Sequence, residues 1–310
     1  MGKTAILFPG QGSQELGMGR DLFKKDQFFR SLIDMASDIT GENLEEVCLN
    51  GPVSKLVRPH LLQPLIVSIS LGYFKQLQNH GIRPQLLAGH SLGEITALAA
   101  ADVITSEDAV RIATRRGQLM EQVAQKIDGG MIAVMFADIE EVRNVLKQME
   151  KAEKICIAND NAPGQVVLSG ELNTLEQFTQ KGIGKCLKVK VAGPWHSSYM
   201  NLARIEYENW VKTIRFNPPE TTLVLNAPSK TETDPEKIKT LHIGQLTNAV
   251  YWRESMELIR QRGVETIFEV GPGKVLKGLA RANGLGKNAS LVSIDSYESI
   301  TEHCQEVLVN

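Results

Sequence analysis

The stretch Ala88-Gly89-His90-Ser91-Leu92-Gly93-Glu94 constrains this chain more than any other. Before it runs Gln85-Leu86-Leu87, short and apolar enough for a buried strand. After it runs Glu94-Ile95-Thr96-Ala97-Leu98-Ala99-Ala100-Ala101, rich in good helix formers. A serine between two glycines at a sharp strand-to-helix reversal is the nucleophile-elbow pattern, G-x-S-x-G. Only small flanking residues let strand and helix pass so closely, and the serine takes a strained backbone. The strain lifts Oγ clear of the backbone, and the helix N-terminus behind it offers unpaired N–H groups to a developing oxyanion. A tight turn with a serine cap has the same local pattern, so the rest of the chain must discriminate.

With 310 residues the chain has room for one large domain, or one large and one small. Its 42% apolar and 23% charged residues are ordinary for a globular protein and supply a substantial core. A net charge of −2 argues against broad nucleic-acid binding, but allows a local basic patch for an acidic partner. Cys48, Cys156, Cys186 and Cys304 form no C-x-x-C pair and no metal spacing, so reduced thiols in a cytoplasmic protein are expected. No apolar run reaches the ~18 residues of a membrane span. Ala5 to Phe8 is too short for a signal-peptide core, and Ile6 stands where myristoylation needs Ser or Thr.

Thr4 to Phe8 reads as a buried parallel strand ending in Pro9-Gly10-Gln11-Gly12-Ser13-Gln14, a tight loop that exposes backbone N–H groups. Its spacing fits neither G-x-x-x-x-G-K-[ST] nor G-x-G-x-x-G, which excludes nucleotide binding by those motifs. Helical patterns fill residues 15 to 80, the longest from Leu61 to Leu77, and break at Gly81-Ile82-Arg83-Pro84. A helix is expected from Ser106 to Gln125, with Ser106-Glu107-Asp108 as its capping start and Arg111, Arg115 and Arg116 along it.

The texture changes at Asp128-Gly129-Gly130. A strand (Met131 to Phe136) and a helix (Ile139 to Glu150) lead to a strand (Ile155 to Ala158), a loop (Asn159 to Gly164) and a strand (Gln165 to Ser169). A helix (Leu172 to Gln180) and a strand (Lys185 to Val191) follow, giving the β-α-β-β-α-β order of a ferredoxin-like unit. Strands and helices alternate again to the C-terminus, with Glu265 to Val270 ending at Gly271-Pro272-Gly273. The expected class is α/β. Residues 1–126 and 193–310 form a domain with a mostly parallel sheet covered on both faces, and residues 127–192 a ferredoxin-like α+β subdomain.

A serine nucleophile needs a base. The six histidines are His60, His80, His90, His196, His242 and His303. His90 adjoins Ser91, but neighbours at an elbow point apart. His196 is the best candidate, because it follows Gly193-Pro194-Trp195 at a loop-to-helix transition. Serine first and histidine later is the α/β-hydrolase order. A lone histidine is as often structural. Asp128, Asp138, Asp160 or a backbone carbonyl could orient the ring.

Phe8-Pro9-Gly10-Gln11-Gly12-Ser13-Gln14, Gly89-His90-Ser91-Leu92-Gly93-Glu94, Arg116-Gly117-Gln118-Leu119-Met120, Asn161-Ala162-Pro163-Gly164-Gln165-Val166-Val167, His196-Ser197 and Glu269-Val270-Gly271-Pro272-Gly273 occur in one order across nearly the whole chain. In this set the chain resembles the malonyl-CoA:acyl-carrier-protein transacylases of fatty-acid synthesis. That family folds as a hydrolase-like α/β domain with a ferredoxin-like insertion. The resemblance implies Ser91 as nucleophile, His196 as base and Arg116 as the clamp on the malonyl carboxylate. Arg115 is the rival clamp, but it faces about 100° away on a helix. The resemblance further implies Gln11 and Leu92 N–H groups as the oxyanion hole and the Gln245 carbonyl as the support of His196. Asn161 is either a pocket amide or a turn residue. Many malonyl-selective relatives have Gly-Ala-Phe before the histidine, and this chain departs from them with Gly193-Pro194-Trp195. Trp195 is expected to shape the acyl pocket and to block an α-methyl branch.

The implied reaction is ping-pong acyl transfer from malonyl-CoA to an acyl carrier protein, with no metal or redox cofactor, no nucleic acid and no membrane, by a monomer in the cytoplasm. Lys185, Lys188 and Lys190 could meet an acidic carrier, although a solvated strand edge explains them better. The alternatives are a discrete acyltransferase loading a polyketide synthase, a serine thioesterase in which Arg116 has no purpose, and a non-catalytic scaffold.

Overall fold

The computed structural model describes residues 2–309, with side chains through His303. Cys304 lies outside the described side chains. The strands are β1 (Thr4–Phe8), β2 (Leu86–Gly89), β3 (Gly129–Met135), β4 (Ile155–Ala162), β5 (Gln165–Glu171), β6 (Lys185–Lys188), β7 (Thr222–Asn226), β8 (Ser229–Thr231), β9 (Thr266–Val270) and β10 (Ser290–Ile294). Alternation along β1 sets the layers. Ile6 and Phe8 face a core built with helices Gln27–Thr40, Pro59–Asn79, Gly93–Ala100 and Ser106–Ala124. Ala5 and Leu7 face the other side, against helices Trp252–Gln261 and Val275–Ala282. A strand buried on both faces must be apolar throughout, as Ala-Ile-Leu-Phe is.

The main sheet has the order β10-β9-β1-β2-β7-β8. All neighbours are parallel except β8, which forms a hairpin with β7. The carboxyl ends of β1, β2 and β7 therefore leave the sheet side by side, at the edge where open α/β sheets place their sites.

The second sheet, β4-β5-β3-β6, is antiparallel throughout and carries helices Ile139–Gln148 and Leu172–Thr179. One face packs Val134, Leu168 and Val142 into a small core of its own. The other face turns Met131 and Val167 toward the main core. Backbone bonds tie this subdomain to the segment before helix Trp252–Gln261, because Asp160 N–H donates to Val250 O at 2.9 Å and Val250 N–H to Ala158 O at 2.8 Å.

Several boundaries differ from the sequence reading. The β4 strand runs on to Ala162, because two register irregularities, at Ala158 and Asn161, keep Asn159 and Asp160 paired with β5 while Val250 pairs with Asn159 from the other side. The expected loop of Asn159 to Gly164 shrinks to Pro163-Gly164, with Gly164 at φ 72°. The β6 strand stops at Lys188, and beyond it only Val189 N–H still reaches Met131 O, at 3.0 Å. Thr105, not Ser106, caps the arginine-bearing helix, its Oγ1 accepting from Asp108 N–H at 3.0 Å. Helix Trp252–Gln261 and strand β8 lie in a stretch that the sequence left unassigned. No helix among the described residues is long and apolar enough to cross a membrane.

Candidate active site

The turn after β2 is built as its glycines demand. A Cβ on Gly89 would run into the Gly93 carbonyl, and one on Gly93 into the Phe8 carbonyl. Between them Ser91 sits at φ 51°, a left-handed conformation that a non-glycine residue holds only under constraint. The loop after β1 lies against this turn, since a Cβ on Gly10 would press on the His90 carbonyl.

Ser91 Oγ and His196 Nε2 are 2.6 Å apart, although 105 residues separate them in the chain. His196 is 5% exposed and also has a positive φ, 57°. Its Nδ1–H donates to Gln245 O at 3.0 Å and to Asn248 O at 3.1 Å. Two carbonyls fix the tautomer that leaves Nε2 free to accept the serine proton. No acid among the described residues bonds His196. Asp138 caps a helix through Glu140 N–H, and Asp160 pairs with Arg253 at 2.9 Å. Burial, reinforced by the charge of Arg116, pushes the His196 pKa down to about 3. The ring is therefore neutral at physiological pH, the state that a base needs.

Helix Ser106–Ala124 turns Arg116 inward and Arg115 outward. Arg115 pairs with Glu206, whereas Arg116 is 3% exposed. Its Nη2 donates to Ser91 Oγ at 3.2 Å and to Gln245 Oε1 at 3.4 Å, and its Nη1 to Gln63 Oε1 at 3.1 Å. All three acceptors are uncharged. Burial works against the guanidinium charge, and the nearby Tyr207 and Glu94 support it. An arginine in such a place keeps its proton. A buried cation with no touching carboxylate is costly to hold unless an anion is to arrive.

A cleft opens over these groups, with Gln11, Ser91, Arg116, Met131, Val167 and Trp195 in its walls. Trp195 is 4% exposed. The N–H groups of Gln11 and Leu92 donate to no acceptor among the described residues. Asn161 serves no turn, because it lies within β4 and its Oδ1 is 2.8 Å from His90 Nε2 at the cleft wall. Gln245 does more than lend its carbonyl, since its Nε2 donates to Ser91 O at 2.9 Å. Lys185, Lys188 and Lys190 are exposed on the outer strand and its continuation, and none forms an ion pair among the described residues.

Gln63, Asn226 and Asn248 escaped the sequence reading. The first two carried a faint signal, an uncharged polar residue amid an apolar helix and another at the end of an apolar strand.

Residues 6–290 match the acyl transferase domain family. A malonyl CoA-acyl carrier protein transacylase of Staphylococcus aureus (strain COL) is 34% identical over 305 residues, 97% of this chain and 98% of that one. The chain belongs to the malonyl CoA-acyl carrier protein transacylase family. A polyketide-biosynthesis transacylase of this family from Bacillus subtilis is 37% identical over 279 residues, 88% of this chain and 94% of that one. Among solved structures, a malonyl-transacylase in complex with its type II polyketide acyl-carrier protein superposes with a TM-score of 0.91 at 31% identity, covering 98% of this chain and 99% of its own. The two-sheet architecture described above is thus the fold of a transacylase.

Proposed function

We propose that this transacylase carries a malonyl group from malonyl-CoA to the phosphopantetheine thiol of an acyl carrier protein, by way of an ester on Ser91, and so supplies extender units for fatty-acid synthesis. The observation that carries the reading is the buried Arg116 guanidinium, 3.2 Å from Ser91 Oγ and in contact with no acid. A thioester of a monoacid has nothing to offer that cation. A malonyl thioester brings a free carboxylate, which a guanidinium binds through two parallel hydrogen bonds. A thioesterase of simple acyl groups would gain nothing from it.

In the proposed sequence the Ser91 O–H proton passes to His196 Nε2 as Oγ bonds to the thioester carbon. The resulting oxyanion is held by Gln11 N–H and Leu92 N–H, both unengaged in the free protein. The C–S bond then breaks, and His196 returns the proton to the leaving CoA sulfur. In the second half the carrier thiol gives its proton to His196 and attacks the ester carbon. The ester C–O bond breaks, and Ser91 recovers its proton. Residues 1–126 and 193–310 form the catalytic domain in this reading, and residues 127–192 wall the cleft from the other side. Free thiols at Cys48, Cys156 and Cys186 support a cytoplasmic setting.

Identity of 37% to a polyketide-biosynthesis relative favours a second reading, in which the same chemistry loads a polyketide carrier. Intact-mass analysis tests both. Malonyl-CoA alone should leave one malonyl group on the protein, and added holo-carrier should remove it and gain it. A protein that releases free malonate instead is a thioesterase, and one that never gains the group is a scaffold. Rates with fatty-acid and polyketide carriers then separate the two pathways.

A further inference from the structure

Asn226, the last residue of β7, has no exposed surface and stands beside the end of β2. Its carboxamide bridges Gly89 and Ser91, the residues on either side of His90. Oδ1 accepts from Ser91 N–H at 2.7 Å, and Nδ2–H donates to Gly89 O at 2.7 Å. Its own N–H donates to Glu94 Oε2 at 2.8 Å. Glu94 lies in the first turn of the helix that follows Ser91, and its Oε1 accepts from His242 Nδ1–H at 3.0 Å. His242 Nε2 in turn accepts from Tyr207 O–H at 2.8 Å. Gly89, Ser91, Glu94 and Asn226 thus close a ring of buried hydrogen bonds, fastened from behind by His242 and Tyr207.

The turn's other backbone bonds run from Gly93 N–H to His90 O and from Glu94 N–H to Ser91 O. They start the helix but leave the amide of Ser91 unheld. A left-handed serine persists only where its surroundings over-determine it. Asn226 is the one side chain among the described residues that accepts from Ser91 N–H, and its own backbone N–H ties it to Glu94 on the far side of the serine.

We infer that Asn226 is a positioning residue. It sets the backbone of Ser91 so that Oγ reaches His196, and it occupies Ser91 N–H while Leu92 N–H keeps no acceptor among the described residues. The inference rests on the reading of Ser91 as nucleophile.

The test compares Asn226→Ala, Asn226→Asp and Ser91→Ala in the full chain. Single-turnover acylation is measured with malonyl-CoA and with acetyl-CoA, and malonyl-CoA affinity is measured in a Ser91→Ala background with and without Asn226→Ala. The expected result is an acylation rate lower by about 10²-fold, equally for both esters, at unchanged affinity. A merely structural role would weaken binding and rate together. A folded Asn226→Ala protein that acylates within about twofold of the parent would overturn the inference, as would a loss confined to malonyl or one matched by weaker binding. Should Asn226→Ala not fold, Asn226→Asp is judged by the same measurements. It is nearly the same shape, keeps an acceptor for Ser91 N–H and loses the donor to Gly89 O. A malonyl adduct on Ser91→Ala would defeat the nucleophile reading, and this inference with it. A silent Ser91→Ala beside a fully active Asn226→Ala defeats this inference alone.

Discussion

Arg116 Nη2 lies 3.2 Å from Ser91 Oγ, and no carboxylate among the described residues touches either side chain. A cation this near a serine hydroxyl can hold the far end of a short diacid while its thioester end meets Oγ. Arg116→Ala should therefore separate two substrates. Malonyl transfer is expected to fall by roughly 10²-fold or more, since a buried, hydrogen-bonded charge pair is lost. Acetyl transfer should hold or improve, because acetyl never used the clamp and a buried charge has gone. Initial rates with both CoA esters give the ratio, and an equal fall for the two removes the clamp from the account.

The same guanidinium acts on His196. Burial is the larger cause of the depressed pKa, near 3, and the charge of Arg116 the next. A base works in its neutral form, so its rate falls as pH drops through its pKa. With Arg116 replaced by alanine the pKa should climb toward the ordinary 6.5, and the acid limb of the acetyl-CoA acylation rate should move to higher pH. Rates between about pH 2.5 and 8 show the shift, and an unmoved limb would mean that the charge is not felt at Nε2.

The depressed pKa has a stability consequence as well. Between pH 6.5 and about 3 the unfolded chain protonates this histidine and the folded one does not. Stability should drop as pH falls through that window. Denaturant titrations at several pH values, run beside His196→Gln, isolate the contribution. Parallel pH profiles for the two proteins would contradict it.

Ser91 and His196 were legible as candidates because each needs only a local pattern, a glycine-flanked turn and a histidine at a loop-to-helix junction, whereas Arg116 stood out from Arg115 only through the family resemblance. Their convergence was not legible, since nothing local joins position 91 to position 196. The parallel register of β1, β2 and β7 brings Gln11, Ser91 and Asn226 to one edge, and His196 reaches that edge on the segment after β6, held there by the Gln245 and Asn248 carbonyls. The helper residues were harder still. Asn226 and Gln63 are single polar residues in apolar runs, and such residues matter only through partners far along the chain. The long β4 strand was missed because Asn159-Asp160-Asn161 has turn chemistry, yet pairing with Val250 on its far side overrides that propensity. The β-α-β-β-α-β order was readable because each of its cores is local and periodic.

Trp195 sits buried in the cleft wall, directly before His196. A bulky indole next to the base leaves little room for a branch at the carbon between the two carbonyls. Malonyl-CoA should outrun methylmalonyl-CoA, and Trp195→Ala should narrow the gap by removing that wall. One missing methylene-sized contact in an apolar pocket is worth about 10–200-fold, which sets the scale of the change. Competition between the two esters for Ser91, read by intact mass, measures it. Equal rates in the parent would reject the role.

Gly89 tests whether the turn itself is as tightly built as its serine requires. A methyl group there meets a backbone carbonyl, that of Gly93, which cannot swing aside as a side chain does. To relieve the contact either β2 or helix Gly93–Ala100 must move, and both carry residues packed to zero exposure, including Leu87, Ala88 and Ile95. Gly89→Ala should therefore cost at least about 2 kcal/mol in folding stability, as overpacked interiors do. Gly81→Ala is the control, because its Cβ would meet nothing within 4 Å and only its positive φ, 85°, is strained. Chemical denaturation of the two variants decides the matter. If Gly89→Ala were as stable as Gly81→Ala, strand and helix would have slack between them, and the strain at Ser91 would lose its support.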